Sequence, residues 1–260
     1  MVPSCSSPSI ADSAAPVVLV TGGGRRLGAE FCRGFARRGW RVVIHCSHSL
    51  SQARALAEEL GGGGVARVLP ADLLSLSGEE MIAHAASLFG RLDGLVNNAS
   101  CYCRGGLLEA TEEEWEESFR LNFRVPMSLM RAFARRGFPG AILNLLDGRW
   151  EKEDPGCAGY LLAKKSLAEA TRLCAFAWGK LGIRVNGLAP GLVRPVEGVP
   201  LSVMEPLLAR LPISRRTTEE ELAAAALLLM ESPTMTGVIL PVDGGMHLHG
   251  MPMREKENPQ

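Results

Sequence analysis

The sequence lacks any run of about eighteen apolar residues, the length a membrane-crossing helix requires, and so offers no candidate transmembrane segment. It also lacks net charge. Lys and Arg number 28 and Asp and Glu number 28, which leaves no overall field to steer the chain to nucleic acid or to an anionic membrane surface. The first sixteen residues contain no Lys, no Arg and no apolar stretch, and so lack the marks of a secretory signal or an Arg-rich transit peptide. Residues 1–16 and 251–260 are expected to be flexible tails around a single domain spanning 17–250. Seven cysteines (Cys5, Cys32, Cys46, Cys101, Cys103, Cys157 and Cys174) are odd in number and scattered. The Cys101/Cys103 pair has no second Cys/His cluster, so no metal site is expected. Free thiols in a reducing cytoplasm fit this usage.

What is present is a chain of 260 residues, 47% hydrophobic and 22% charged, long enough to bury a substantial core. Strand-like and helix-like segments alternate from end to end, the pattern of a parallel sheet with crossover helices, and the fold class is α/β. Strands are expected at Val17 to Thr21, Arg41 to Cys46, through Val68 towards Asp72, Gly94 to Asn98, Ala141 to Leu146, Ile183 to Leu188 and Val238 to Val242. The first helix carries Leu27, Phe31 and Phe35 at fourfold spacing and stops at Gly39. A long helix from about Glu112 to Arg136 is expected to kink or restart at Pro126. Further helices are expected from about Tyr160 to Leu181 and from Glu219 to Met230. The Pro/Gly-punctuated segment from Ala189 to Pro212 breaks the rhythm and is a candidate substrate lid.

Directly after the first strand stands Thr21-Gly22-Gly23-Gly24-Arg25-Arg26-Leu27-Gly28. A glycine-rich strand-to-helix turn lets the backbone approach a pyrophosphate at the free amides of the helix N-terminus. The strict GxGxxG spacing fails, and a plain tight turn is the alternative. A cofactor with a free ribose 2'-hydroxyl meets an acid about 20 residues on, yet no Asp or Glu lies between Glu30 and Glu58. His45, Ser47, His48 and Ser49 stand there instead, and Arg25 lies in the turn as a phosphate partner. NADP(H) is favoured over NAD(H).

Tyr160 and Lys164 lie four residues apart on one helical face. An ammonium beside a phenol is expected to lower its pKa and make it a usable proton donor near neutral pH. Asp147 stands thirteen residues upstream at a strand end, where open parallel sheets bind ligands.

With these residues in view, the chain resembles the short-chain dehydrogenase/reductase superfamily over roughly residues 16 to 249. The motifs agree in order and spacing: the turn at Thr21 to Gly28, Asp72-Leu73, Asn97-Asn98-Ala99, Asn122, Tyr160 with Lys164, Pro190-Gly191 and Asp243-Gly244-Gly245. The resemblance implies a Rossmann-type doubly wound seven-stranded sheet with helices on both faces, in a homotetramer or homodimer. It implies a catalytic set of Asn122, Asp147, Tyr160 and Lys164. It further implies that Gly22, Arg26, Leu27, Gly28, Asp72, Leu73, Asn98, Ala99, Ser100, Pro190, Gly191 and Leu192 join Arg25, the His45 to Ser49 donors, Tyr160 and Lys164 around the cofactor.

Three departures are informative. Most members have glycine where this chain has Arg26, glycine where it has Ser100 and serine where it has Asp147. Together these exchanges resemble the pteridine reductases, including the dihydromonapterin reductases. That resemblance implies that Arg26, Ser100, Tyr102, Asp147 and Tyr160 meet a pterin, with the Tyr102 ring stacked on it, and that the cofactor is NADPH. A carboxylate can orient Tyr160 and help move a proton towards a ring nitrogen, which suits C=N reduction better than ketone reduction. Two other readings stay open: an NADPH-dependent reductase of small ketones or 3-oxoacyl thioesters, and a non-catalytic NADPH-binding sensor. Val193 stands where relatives often offer a phosphate-binding serine, and Arg194 is a candidate replacement. Trp115, Trp150 and Trp178 read as packing or surface anchors, with Trp150 a candidate for the cleft border. His247 and His249 are read as solvated loop residues, with a neighbouring subunit's site as the alternative.

Overall fold

Four consecutive branched apolar residues, Val17–Val20, form strand β1 and are fully buried, as a central strand covered on both faces must be. The computed structural model describes residues 15–103, 105–195 and 200–248. The expected tails therefore lie almost wholly outside the described residues. After β1 come helix α1 (Arg26–Arg37), β2 (Arg41–Cys46), α2 (Leu50–Glu59), β3 (Ala66–Pro70), α3 (Gly78–Phe89) and β4 (Gly94–Asn97). Then follow α4 (Glu112–Phe119), α5 (Val125–Arg135), β5 (Gly140–Leu145), α6 (Ala158–Trp178), β6 (Ile183–Pro190), α7 (Glu205–Leu208), α8 (Glu219–Glu231) and β7 (Ile239–Val242).

All seven strands pair in parallel in the order β3-β2-β1-β4-β5-β6-β7. The order reverses between β1 and β4, so a crevice opens beyond their C-terminal ends. One face of the sheet is covered by α1, α2 and α8, with Phe31, Phe35 and Leu222 buried there. The other is covered by α3, α5 and α6, with Met81, Phe133 and Leu167 at its centre. Burying each such side chain contributes about 1.5–3 kcal/mol.

The long helix expected over Glu112 to Arg136 is three pieces. A π-helical turn, Arg120–Arg124, separates α4 from α5, and Pro126 falls in the first turn of α5. Pro126 has no N–H to give the Asn122 carbonyl, so the α-helical ladder cannot run through this point. The break thus centres on Asn122 rather than on the proline. Helix α3, which periodicity alone did not single out, carries a sequence signature: Ser77 and Glu80 form a capping box. Thr111 with Glu114 and Thr218 with Glu221 do the same for α4 and α8. The segment after β6 is less irregular than its composition suggests, since a 3-10 turn, Leu201–Met204, runs into α7.

Candidate active site

Tyr160, in the first turn of α6, points its phenol at the end of β5 and donates to Asp147 Oδ2 at 3.0 Å. Asp147 is gripped from the other side. Arg149 donates to it from Nε (2.9 Å) and its backbone N–H (2.8 Å) at Oδ1, and from Nη2 (3.0 Å) at Oδ2. These bonds hold the Asp147 carboxyl below the usual carboxylate range against the opposing effect of burial. Lys164, one turn beyond Tyr160, is buried and donates to the Leu145 carbonyl at 2.8 Å. Burial pulls its ammonium down to about 8, while Asp147 and Cys101 oppose the fall.

The expected effect of Lys164 on the phenol is corrected here. Burial, and after it the Asp147 carboxylate, push the Tyr160 phenol well above its ordinary value. The carboxylate touches the hydroxyl, whereas the ammonium lies 5.8 Å from the ring centroid with its hydrogen bond directed to the backbone. Tyr160 is therefore a protonated donor, held by an anionic acceptor.

Asn122 is fully buried in the π-helical turn. Its amide donates to the carbonyls of Ser118 and Cys101, each at 3.0 Å, and its oxygen accepts from Ser100 Oγ at 2.5 Å. Ser100 is thereby tied to Asn122 at the end of β4. Tyr102 is half-exposed, its ring edge-on to Tyr160 with centroids 4.9 Å apart and 5.9 Å from the Arg149 guanidinium carbon.

The glycine turn lies at the end of β1. A Cβ on Gly28 would collide with the Gly22 carbonyl, so only glycine lets α1 start this close to the strand. Asn98 reinforces the turn by donating to the carbonyls of Thr21 (2.8 Å) and Gly22 (3.2 Å), and the backbone N–H groups of Asn98 and Ala99 both donate to Thr21 Oγ1. Unlike α3, α4 and α8, α1 begins with no side-chain cap and no acid in its first turn. Its first amides have no intrahelical acceptor, the donor set an anionic diphosphate requires. Arg26 adopts φ 51°, a left-handed conformation that costs a non-glycine residue about 1–2 kcal/mol. Its guanidinium donates to the Pro195 carbonyl at 3.1 Å, joining the turn to the segment after β6.

At the end of β2 the structure separates residues that the sequence grouped. Ser47 and His48 are exposed, and Ser49 packs so closely on Gly24 that a Cβ there would meet its hydroxyl at 2.7 Å. His45 is different. It is buried, accepts from the Gly22 N–H at 3.0 Å on Nδ1, and pairs through Nε2 with the Ala71 carbonyl at 3.1 Å. Burial lowers its pKa to about 4. The expectation that His45 meets a 2'-phosphate is corrected, because both ring nitrogens are engaged in holding the turn and the ring is neutral.

Other expectations resolve similarly. Asp72 is exposed and accepts from the Leu74 N–H (2.9 Å) and Ser75 Oγ (2.7 Å), while the Leu73 side chain turns into the core. Gly191 approaches Asp243 so closely that a Cβ would lie 2.5 Å from its Cα, and the carbonyls of Pro190 and Leu192 accept from Gly148 and Thr217. Arg194 does not stand in for a phosphate-binding serine: it is paired with buried Glu219, and Val193 packs on the core. Trp150 is not at the cleft border, since it packs on the α6 side of the core beneath the Arg172 guanidinium, 4.8 Å away. His247 binds Asp243 through its N–H (2.7 Å) and Nδ1 (2.9 Å), and His249 lies outside the described residues. The six described cysteines are free, and among the described residues no cluster of His, Cys, Asp and Glu could hold a metal.

Sequence reasoning missed Arg149. The signal was present in Asp147-Gly148-Arg149, because a carboxylate placed at a buried strand end needs a counter-charge within reach.

This arrangement defines a class. Residues 24–247 match the family model described as Enoyl-(Acyl carrier protein) reductase, and the chain belongs to the short-chain dehydrogenase/reductase family of oxidoreductases. Among curated relatives it is 29% identical to pteridine reductase 1 of Leishmania tarentolae over 90% of this chain and 97% of that one. It is also 29% identical to the 3-oxoacyl-[acyl-carrier-protein] reductase FabG of Staphylococcus aureus over 88% of this chain and 97% of that one. The crystal structure of FolM alternative dihydrofolate reductase 1 from Brucella suis, in complex with NADP, superposes with a TM-score of 0.85 at 31% identity, covering 90% of this chain and 96% of that one.

Proposed function

We propose that the protein is an NADPH-dependent reductase that converts dihydropterins to tetrahydropterins. Oxidised pterins and folates extend the same substrate class. The observation that carries this reading is the Tyr160 to Asp147 hydrogen bond, a carboxylate against the reactive phenol where most of the family offers a serine hydroxyl. Identity alone does not choose the substrate, because pteridine, 3-oxoacyl and galactitol enzymes are similarly related. The site residues favour the pterin. Tyr102 and Asp147 both meet Tyr160 and Ser100 is held by Asn122, and the likeness to FolM and pteridine reductase 1 points the same way.

The uncapped start of α1, the turn buttressed by Asn98 and His45, and Pro190 to Leu192 would hold the dinucleotide; Arg25, Ser47, His48 and Ser49, with no acid among them, favour a 2'-phosphate. When bound, the nicotinamide supplies hydride to the carbon of a C=N bond. The nitrogen takes a proton, and Tyr160 is the acid that gives it. Asp147 orients the phenol, the Lys164 ammonium one turn on offsets the charge of the phenolate it leaves until solvent reprotonates it, and Asn122 fixes Ser100 at the polar edge of the pocket. Tyr102 offers an aromatic ring against which a flat heterocycle stacks. Leu162, Leu173 and Phe176 are exposed apolar residues along α6, which supports a homo-oligomer, tetramer or dimer, and the free thiols fit a cytoplasmic setting.

The test is NADPH oxidation, followed by absorbance, with 7,8-dihydrobiopterin and dihydromonapterin beside a panel of small ketones and an NADH control. Turnover confined to pterins with NADPH is the expected result. Turnover with ketones alone would assign the site to carbonyl reduction, and tight NADPH binding without any turnover would make the protein a sensor.

A further inference from the structure

Arg149 is the most heavily engaged cation in the cleft. Three of its N–H groups grip Asp147, and Nη1 donates to Asp154 Oδ2 at 2.8 Å and approaches Cys157 Sγ at 3.4 Å. Asp154 in turn accepts from the Gly156 N–H at 3.0 Å, two residues before α6 begins. The guanidinium therefore spans from the end of β5 to the start of the helix that carries Tyr160. Its side chain is only 12% exposed and that of Asp147 17%, so neither charge is screened well by water. Were Arg149 absent, the Asp147 carboxylate would lose the cation in contact with it.

We propose that Arg149 is a positioning residue for this reaction: by clamping both oxygens of Asp147 it fixes the carboxylate as the acceptor that aims and holds the Tyr160 hydroxyl. The proposal rests on the pterin-reductase reading for its meaning in catalysis, but its geometric core does not depend on the substrate. The carboxylate at Asp147 thus has its counter-charge two residues on. The groups facing Asp147 are Arg149 from its own loop, and Tyr160, Lys164 and Cys157 from α6 and its start; Asp154 and Tyr102 face it only through Arg149. Tyr160 donates to the carboxylate, Lys164 is directed to Leu145, and burial raises the Cys157 thiol. Arg149 is therefore the cation in direct contact with the carboxylate. Without its guanidinium Asp147 would lose two donors and the counter-charge in contact with it and would ionise less readily, so that the phenol would lose its aim.

The experiment titrates the aspartate carboxyl carbons of the full chain by 13C NMR in the wild type, Arg149→Lys and Arg149→Met, with Asp147→Asn to assign the resonance. Asp147 is expected to move upward by at least about one pH unit in Arg149→Met, with Arg149→Lys between. In parallel, kcat for dihydrobiopterin reduction by Arg149→Met is expected to gain an acidic limb at that same midpoint, falling about tenfold for each pH unit below it. The limb should vanish in the Arg149→Met/Asp147→Ser double variant. An Asp147 titration unmoved in both Arg149 variants overturns the proposal, as does an acidic limb that survives in the double variant. Should Arg149→Met not fold, Arg149→Lys carries the comparison. Absence of pterin turnover alongside a shifted Asp147 titration would sink the substrate reading and leave the clamp standing.

Discussion

The Gly22 N–H donates to Nδ1 of His45 at 3.0 Å, so the glycine turn at the end of β1 hangs from a buried imidazole at the end of β2. Accepting there fixes the tautomer: Nε2 carries the proton and donates it to the Ala71 carbonyl. A second proton on Nδ1 would set two donors against each other in a dry site.

Stability should consequently depend on His45 in acid. Its folded pKa of about 4 lies below the ordinary 6.5, so the unfolded chain binds the extra proton first, and stability present above pH 6.5 is lost as pH falls towards 4, by about 3 kcal/mol. Urea unfolding at stepped pH checks this, and His45→Phe should remove the slope between pH 6.5 and about 5, above the range of the glutamates. The depressed Asp147 carboxyl acts at lower pH, below 3.8, and so is separable from it. A wild-type midpoint flat between pH 6.5 and 4 would contradict the neutral buried ring.

Tyr160→Phe and Asp147→Ala should each lose turnover by about a hundredfold or more, the usual weight of a positioned proton donor. NADPH binding, read by quenching of tryptophan fluorescence, should survive in both. Full turnover in either variant would remove that residue from the proton route.

Arg26→Gly should make the protein more stable and less able. Relief of the left-handed backbone at φ 51° is expected to raise unfolding free energy by about 1 kcal/mol, measured by urea denaturation, since the bond lost to Pro195 is exposed and weak. Affinity for NADPH and for pterin should fall in the same variant. Unchanged affinity would mean that the strain serves some other end.

Tyr102→Ala should weaken pterin binding by about 1 kcal/mol or more while NADPH affinity holds. Competition titration with a planar pterin analogue measures it. Equal affinity for both proteins would place the ligand elsewhere in the cleft.

Much of this was legible in the sequence because its signals are local. Alternating apolar runs give the parallel sheet, the Ser/Thr-x-x-Glu boxes mark three helix starts, and the turn at Thr21 to Gly28 announces itself by glycine at positions where backbone must touch backbone. The π-helical turn at Asn122 was foreshadowed by Pro126, although its placement followed the missing N–H rather than the ring itself.

Composition and spacing by themselves settled the α/β class, the strand that bears the glycine turn, the lack of an acid at the end of β2, and the pairing of Tyr160 with Lys164 along one helix. Those features follow from periodicities that operate within a few residues. Only the tertiary structure decided which polar group each side chain meets. It sent His45 inward to Gly22 and Ala71, gave Arg194 to Glu219, turned Lys164 to Leu145, and closed Arg149 on Asp147. A polar side chain takes the partner that burial leaves within hydrogen-bond reach, and that is set by how strand ends and helix starts converge across the sheet.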